Sequence, residues 1–401
     1  MRDSESKENH SDDSPLPWEE ETFAPWQTNL PFNLMQKNRQ SGNKKGFWAW
    51  WQHIPSLLNV WEYHKHLSQE SETLNYEPIH LNISMKSAPA SVAGKVAEQN
   101  EPSMTQVLGQ TLTPEHFRFL LEQVPAIRTL VFSGPPDPFR NPHIMELVHL
   151  AYKFNQTETT IYTSGHRLQS WAESILQSPL ACLVVQLNAH KPSEYWRLTG
   201  RDPSEFVRAQ QQLKGFLERK KASNSSLVLD ICLTVDIHNY KTMPEMLAYA
   251  LELGVDGVRF ENFQPEHGSD RTLYRQQAPV VRFLKRMHAE KLMVSPLHVT
   301  LPTLLDKDMS KHRHCREAYT TVSVDVDFNL YPCSHHLKSP IDSGKAWDPD
   351  FWNNDMYQWL RNIHGPIGHN TQPVTQLPVP ELCQHCPMNM PRTKKINLPK
   401  S

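Results

Sequence analysis

The sequence predicts an α/β fold built on a parallel sheet, followed by a smaller domain that holds a β-hairpin and four cysteines. Three observations carry this. Six strand-like runs alternate with helix-like segments from about residue 78; the alternation stops near residue 295; and four of the six cysteines fall in the last 90 residues. Alternating strands and helices give a parallel sheet, curled as a partial (βα)6 TIM-like barrel or open and doubly wound.

The strand-like runs are IHLNIS (79–84), TLVFSG (129–134), TTIYTS (159–164), CLVVQL (182–187), LVLDICLTV (227–235) and GVRFENF (257–263). Each is short and rich in β-branched or aromatic residues. The helices between them carry start and stop signals. Thr113 caps LTPEHFRFLLEQV and Pro114 takes its first position; Asn141 and Pro142 repeat the pair before HIMELVHLAYKF. DPSEFVRAQQQLKGFLERK and TMPEMLAYALELG follow, the latter ending on Gly254. In either sheet arrangement, ligands belong at the strands' C-terminal ends. The first such end opens into SMKSAPASVAGK (84–95).

Flanking segments differ in composition. Residues 1–45 read as a disordered acidic tail, with eight acids against two bases between Met1 and Pro25. Residues 46–77 read as a Trp-rich helical segment, and six of the eleven Trp lie before position 62. Its apolar side packs on the main domain or docks a partner protein, since Trp is favoured at interface hot spots. Residues 78–294 form the barrel-like domain, 295–391 the cysteine domain, and 392–401 a basic tail.

Charge excludes some functions. Lys+Arg 41 against Asp+Glu 43 leaves a net −2, so no basic excess draws the chain to nucleic acid or an anionic membrane. No apolar run approaches the ~20 residues of a membrane span. The N-terminus has neither a signal-peptide core nor a transit-peptide composition. A cytoplasmic protein with reduced thiols is expected.

TTVSVDVDFNLYPC (320–333) predicts a hairpin turning near Asp327–Asn329. Cys315 and Cys333 bracket it with 17 residues between them, and Cys383 and Cys386 form a C-x2-C. Two loop pairs of thiolates can surround one metal centre, either zinc or a [4Fe-4S] cluster. Spacing alone leaves that choice open. Cys182 and Cys232 fall inside strands and read as buried apolar thiols. Of the histidines near the late cysteines, most read as solvated.

Taken together, residues 78–390 resemble a radical S-adenosylmethionine (radical SAM) protein with a C-terminal auxiliary-cluster domain of the twitch/SPASM kind. In that family the loop after the first strand carries C-x3-C-x2-C, whose thiolates hold a [4Fe-4S] cluster open to SAM. Here Ser87, Ser91 and Gly94 stand at that spacing. The second strand leads in the family to a Gly-Gly-Glu-Pro-like turn at the SAM amino group; here it leads to Gly134, Pro135, Pro136, Asp137 and Pro138. The third ends in YTSG, where the family often has Thr-Asn-Gly.

The resemblance implies the partial-barrel form of the sheet. It also implies one [4Fe-4S] cluster, rather than zinc, on Cys315, Cys333, Cys383 and Cys386. SAM is the family's other cofactor, and the missing thiols speak against it. A Ser hydroxyl is a poor iron ligand, Gly94 has no side chain, and no cysteine precedes Cys182 to substitute. Ser87, Ser91, Gly94, Gly134 and Asp137 therefore read as a vestigial SAM and cluster site. The expected role is a pseudoenzyme that binds a substrate or partner, including an active radical SAM enzyme, or relays electrons. An active enzyme on a peptide or small molecule would instead need a cleft-facing carboxylate and histidine, with Asp137 and His190 as candidates.

Overall fold

The computed structural model describes residues 73–86, 111–263, 270–292, 295–305, 315, 317–331, 333, 344–364 and 383. Seven parallel strands run in chain order across one sheet: β1 (His80–Ser84), β2 (Thr129–Ser133), β3 (Glu158–Thr163), β4 (Cys182–Asn188), β5 (Val228–Val235), β6 (Gly257–Asn262) and β7 (His298–Thr300). The order never reverses, so this run has no topological switch point. Among the described residues, crossovers of one hand and constant direction put the helices linking β1 to β7 on one face, which is the barrel arrangement rather than the doubly wound one. The sheet is open, in keeping with a partial barrel.

Beyond β1 the sheet continues into the cysteine region. Strand β8 (Thr321–Asp325) pairs in parallel with β1, from His80 opposite Thr321 to Ser84 opposite Asp325. Strand β9 (Leu330–Tyr331) then pairs antiparallel with β8, closing the expected hairpin. The turn is held by Asp325, whose carboxylate accepts from the backbone N–H of Asp327 and Asn329 and from the Asn329 amide and Tyr331 hydroxyl. Phe328 takes the left-handed conformation (φ 60°). The Asn329 side chain is committed to Asp325 at 2.7 Å, and Phe328 packs edge-on against Trp347 instead.

Helix α1 (Pro114–Gln123) starts as expected, with Thr113 Oγ1 accepting from the His116 N–H. Helix α2 (Ile144–Asn155) starts two residues later than Asn141–Pro142 suggests. Asn141 bridges rather than caps. Its amide donates to the Leu112 carbonyl and its oxygen accepts from the His143 N–H, which fixes the approach to the helix. Helices α3 (Leu168–Leu176), α4 (Pro192–Thr199), α5 (Pro203–Ser223) and α6 (Met243–Leu253) complete the layer, the last stopping at Gly254 with φ 78°. Helix α7 (Ala278–Met287) precedes β7, and α8 (Glu317–Thr320) precedes β8. Helix α9 (Asp355–His364) follows the hairpin.

Period-two alternation assigns the two faces of the sheet. Leu81, Ile83, Leu130, Phe132, Leu183 and Ile231 lie on the helix side, fully buried in one continuous core. The opposite face carries polar residues at the matching register positions. A parallel sheet covered on both faces is apolar on both, so a polar inner face marks the place where a ligand can lie.

Candidate functional site

The inner face is organised around one guanidinium. Arg259 on β6 donates from Nε to Asp230 Oδ2 at 2.8 Å, from Nη1 to the Tyr162 hydroxyl at 2.9 Å and from Nη2 to Cys182 Sγ at 3.4 Å. These partners come from β5, β3 and β4, so the array crosses four strands. Burial alone would lower the Arg259 pKa. The Asp230 carboxylate, and the array's hydrogen bonds, outweigh it and raise the pKa, so the guanidinium stays protonated. Burial pushes the Cys182 thiol up to about 12. Cys182 is thus buried as the sequence suggests, but in a polar setting rather than an apolar one. Composition gave no signal of this, because the contacts join residues far apart in the chain.

At the C-terminal ends of β3 and β4, against α4 and α5 and apart from the Arg259 array, lies a cavity of about 720 Å³. Ser164, His166, Gln186, Asn188, Tyr195 and Arg201 supply polar groups to its wall. Asn188 stands at φ 62° where the β4–β5 register shifts, so the strand bends as it enters the cavity. Polar donors above and aromatic sides (Tyr195, Phe206) suit a small polar ligand or a peptide end.

Of the vestigial-site residues, Ser87, Ser91 and Gly94 lie outside the described residues, which resume at residue 111 after Lys86. Gly134 stands at φ 91°, and a Cβ there would come within 2.8 Å of Ser84 Oγ. The turn after β2 therefore presses on the end of β1. Asp137 makes four hydrogen bonds within the protein. Its Oδ2 accepts from Thr163 Oγ1 at 2.8 Å, from the Ser164 N–H at 2.7 Å and from Ser164 Oγ at 2.6 Å; its Oδ1 accepts from the Phe139 N–H at 3.0 Å. This carboxylate straps the second-strand turn to the end of β3.

The structure does not join Asp137 to His190 in a catalytic pair. His190 lies past β4 against the Tyr249 ring at 6.3 Å, and its Nε2 is 3.9 Å from Glu245. Burial, and then the Lys191 charge, lower its pKa.

At the hairpin end, Cys383 is buried, and Cys315 and Cys333 are partly exposed. Cys386 lies outside the described residues. Burial raises the Cys383 pKa, and the neighbouring Cys315 and Cys333 thiols raise it further. Burial takes Cys315 up to about 11, against the pull of the Glu317 and Ala318 backbone N–H groups that donate to it. Among the described residues, no three His, Cys, Asp or Glu side chains stand as a group around one metal-ion position. Cysteine sulfur is a donor type that iron or zinc accepts, but the described thiols come from separate segments and are not gathered around one position.

No family model matches the sequence, and no curated protein matches it. Solved structures do. SuiB of Streptococcus suis, bound to S-adenosylmethionine, superposes with a TM-score of 0.52 at 14% identity, over 85% of this chain and 80% of SuiB. The chain shares its fold with SuiB. A second SuiB structure gives 0.51 at 15% identity over 83% and 78% of the two chains. A structure of anSMEcpe with bound AdoMet and the Cp18Cys peptide gives 0.48 at 15% identity over 70% and 82%. The likeness to SuiB extends over most of the chain and bears out the open, mostly parallel α/β sheet. At this identity it speaks to fold alone. Among the described residues no helix is long and apolar enough to cross a membrane.

Proposed function

We propose that this chain is a radical-SAM-fold protein that no longer cleaves SAM reductively and uses its barrel mouth to bind a substrate or partner. Cys315, Cys333, Cys383 and Cys386 hold one [4Fe-4S] cluster, which supplies a one-electron redox centre when bound. The observation that carries the reading is the triplet Ser87, Ser91 and Gly94 at the position of three cluster thiolates, with no cysteine before Cys182. The hydrogen bonds of Asp137 support it, because a carboxylate committed to Thr163 and Ser164 is not offered to a ligand's amino group.

The ligand is a peptide or small polar molecule taken into the cavity beside Ser164 and Asn188. The Trp-rich segment at 46–77 is the docking element for a partner protein, such as an active radical SAM enzyme. A reducing cytoplasm keeps the four thiols available for the cluster.

Anaerobic purification followed by iron and sulfide quantitation tests this. One cubane per chain, about four irons, and no 5′-deoxyadenosine from SAM and reductant are expected. Twice that iron, or steady 5′-deoxyadenosine formation, overturns the reading. A colourless protein with one tightly held zinc replaces it with a zinc-stabilised binding module.

A further inference from the structure

We propose that Glu261 receives the cationic group of the barrel's ligand, so that the ligand carries an ammonium, either on a lysine-bearing peptide or on a free alkylamine. This rests on the reading that the barrel binds a ligand, and it names that ligand's class.

Glu261 stands on β6, two residues after Arg259 and on the same inner face. Val258 and Phe260 alternate with them and enter the core behind the sheet. Gln186 takes the matching inner position on β4, where Leu183, Val185 and Leu187 fill the core side. Both Glu261 and Gln186 are exposed. Their strands have neighbours on either side, so this exposure is to the space over the inner face.

Charge on that face is unbalanced at Glu261. Arg259 is the cation on the same strand, but its donors run to Asp230, Tyr162 and Cys182. Arg259 is opposite Cys232; Asp230 and Tyr162 stand one level nearer the strands' N-terminal ends, and Cys182 lies further still. The guanidinium therefore turns away from Glu261 and is offset by Asp230. Among the described residues no cation pairs with Glu261.

The floor between Glu261 and the cavity is polar and neutral. Thr234 stands opposite Glu261 on β5, and its hydroxyl donates to Asn188 Oδ1 at 3.3 Å. Cys232, opposite Gln186, is buried, and burial keeps its thiol protonated. Gln186 and Asn188 both line the 720 Å³ cavity. Strand spacing puts the Cα atoms of Glu261 and Gln186 about 12 Å apart. A lysine side chain with its peptide group fills such a gap, leaving the rest of the ligand to the amides of Gln186 and Asn188.

A carboxylate on a concave wall draws cations from solution, and a charge-assisted hydrogen bond is roughly twice as strong as a neutral one. A neutral group at Glu261 forgoes that gain, and an acidic one is repelled.

The experiment is ligand-observed NMR on the full-length, anaerobically purified protein. It measures Kd for acetyl-Ala-Lys-Ala-amide, for its acetyl-lysine and glutamate counterparts, for n-butylammonium and for n-butanol. Wild type is expected to hold an ammonium probe about tenfold more tightly than its neutral counterpart. If the lysine peptide shows this preference the source is a peptide; if n-butylammonium alone shows it, the source is a free amine. Glu261→Gln keeps the side chain's shape and is expected to abolish the preference, while Glu261→Asp keeps part of it. Glu158→Gln deletes an equal charge at the N-terminal end of β3 and is expected to leave the preference intact. A preference that survives Glu261→Gln, or that Glu158→Gln removes equally, overturns the proposal. Wild type binding a neutral or acidic probe as tightly as the ammonium probes overturns it too, and leaves the ligand-binding reading standing. Wild type binding none of the probes overturns both.

Discussion

The Asp137 carboxylate accepts from both the backbone N–H and the hydroxyl of Ser164, at 2.7 and 2.6 Å, and so joins the turn after β2 to the end of β3. Hydrogen bonds to a charged group are each worth roughly 1.5–3 kcal/mol, and several on one carboxylate overlap in effect. Asp137→Ala is expected to destabilise the fold by about 2 kcal/mol in urea unfolding. If SAM or another amine were its partner instead, ligand affinity would fall and stability would not.

Gly134 has two constraints that separate experimentally. Alanine at φ 91° is strained, and its Cβ would press on Ser84 Oγ at 2.8 Å. Gly134→Ala is expected to cost about 2 kcal/mol. Adding Ser84→Ala should recover the contact part and leave the backbone part. A double variant no more stable than Gly134→Ala alone would show that the contact is not the cause.

The Asp230–Arg259 pair predicts a strong asymmetry. Asp230→Asn keeps the shape and leaves a buried guanidinium without its counter-charge, for a loss of about 3 kcal/mol. Asp230→Leu with Arg259→Met removes both charges and is expected to sit closer to wild type than Asp230→Asn does. Chemical denaturation of the three proteins checks this ordering.

His80 predicts a pH dependence. Burial lowers its pKa to about 4, and Thr129 Oγ1 is its hydrogen-bond partner. The unfolded chain takes up the proton near pH 6.5 and the folded one only near pH 4. Stability from this group is therefore complete above pH 6.5 and drains away as pH falls toward 4. His80 is partly exposed, which screens the effect to about 2 kcal/mol. Unfolding of wild type and His80→Asn at pH 7.5 and 4.5 measures it. Equal losses in both proteins would remove His80 as the cause.

Local chemistry made most of the fold legible. The six strand runs sit within a residue or two of the observed strands, and the Thr113 cap and Gly254 stop are where the residue types place them. Helix α2 was less readable, because Asn141 had a distant carbonyl, Leu112, to satisfy. The hairpin and its place near Asp327–Asn329 were readable; that Phe328 takes the left-handed conformation while Asp325 holds the Asn329 side chain was not. Of the candidate site, the cysteine spacing and the Ser87/Ser91/Gly94 triplet needed no structure. The role of Asp137 did, since nothing in SGPPDP says that its carboxylate meets Ser164 rather than a ligand.

By itself the sequence determined the strand–helix alternation, the supply of sulfur donors and their place in the chain. These follow from periodicity and residue chemistry, which act over a few neighbours. The tertiary structure decided that β8 extends the barrel sheet beside β1, that Arg259 gathers Asp230, Tyr162 and Cys182, and that Arg361 holds the Ala318 carbonyl. Each of these depends on hydrogen bonds between segments distant in sequence. Their partners are chosen by packing of the whole chain, where a buried polar group must find one and composition does not say which.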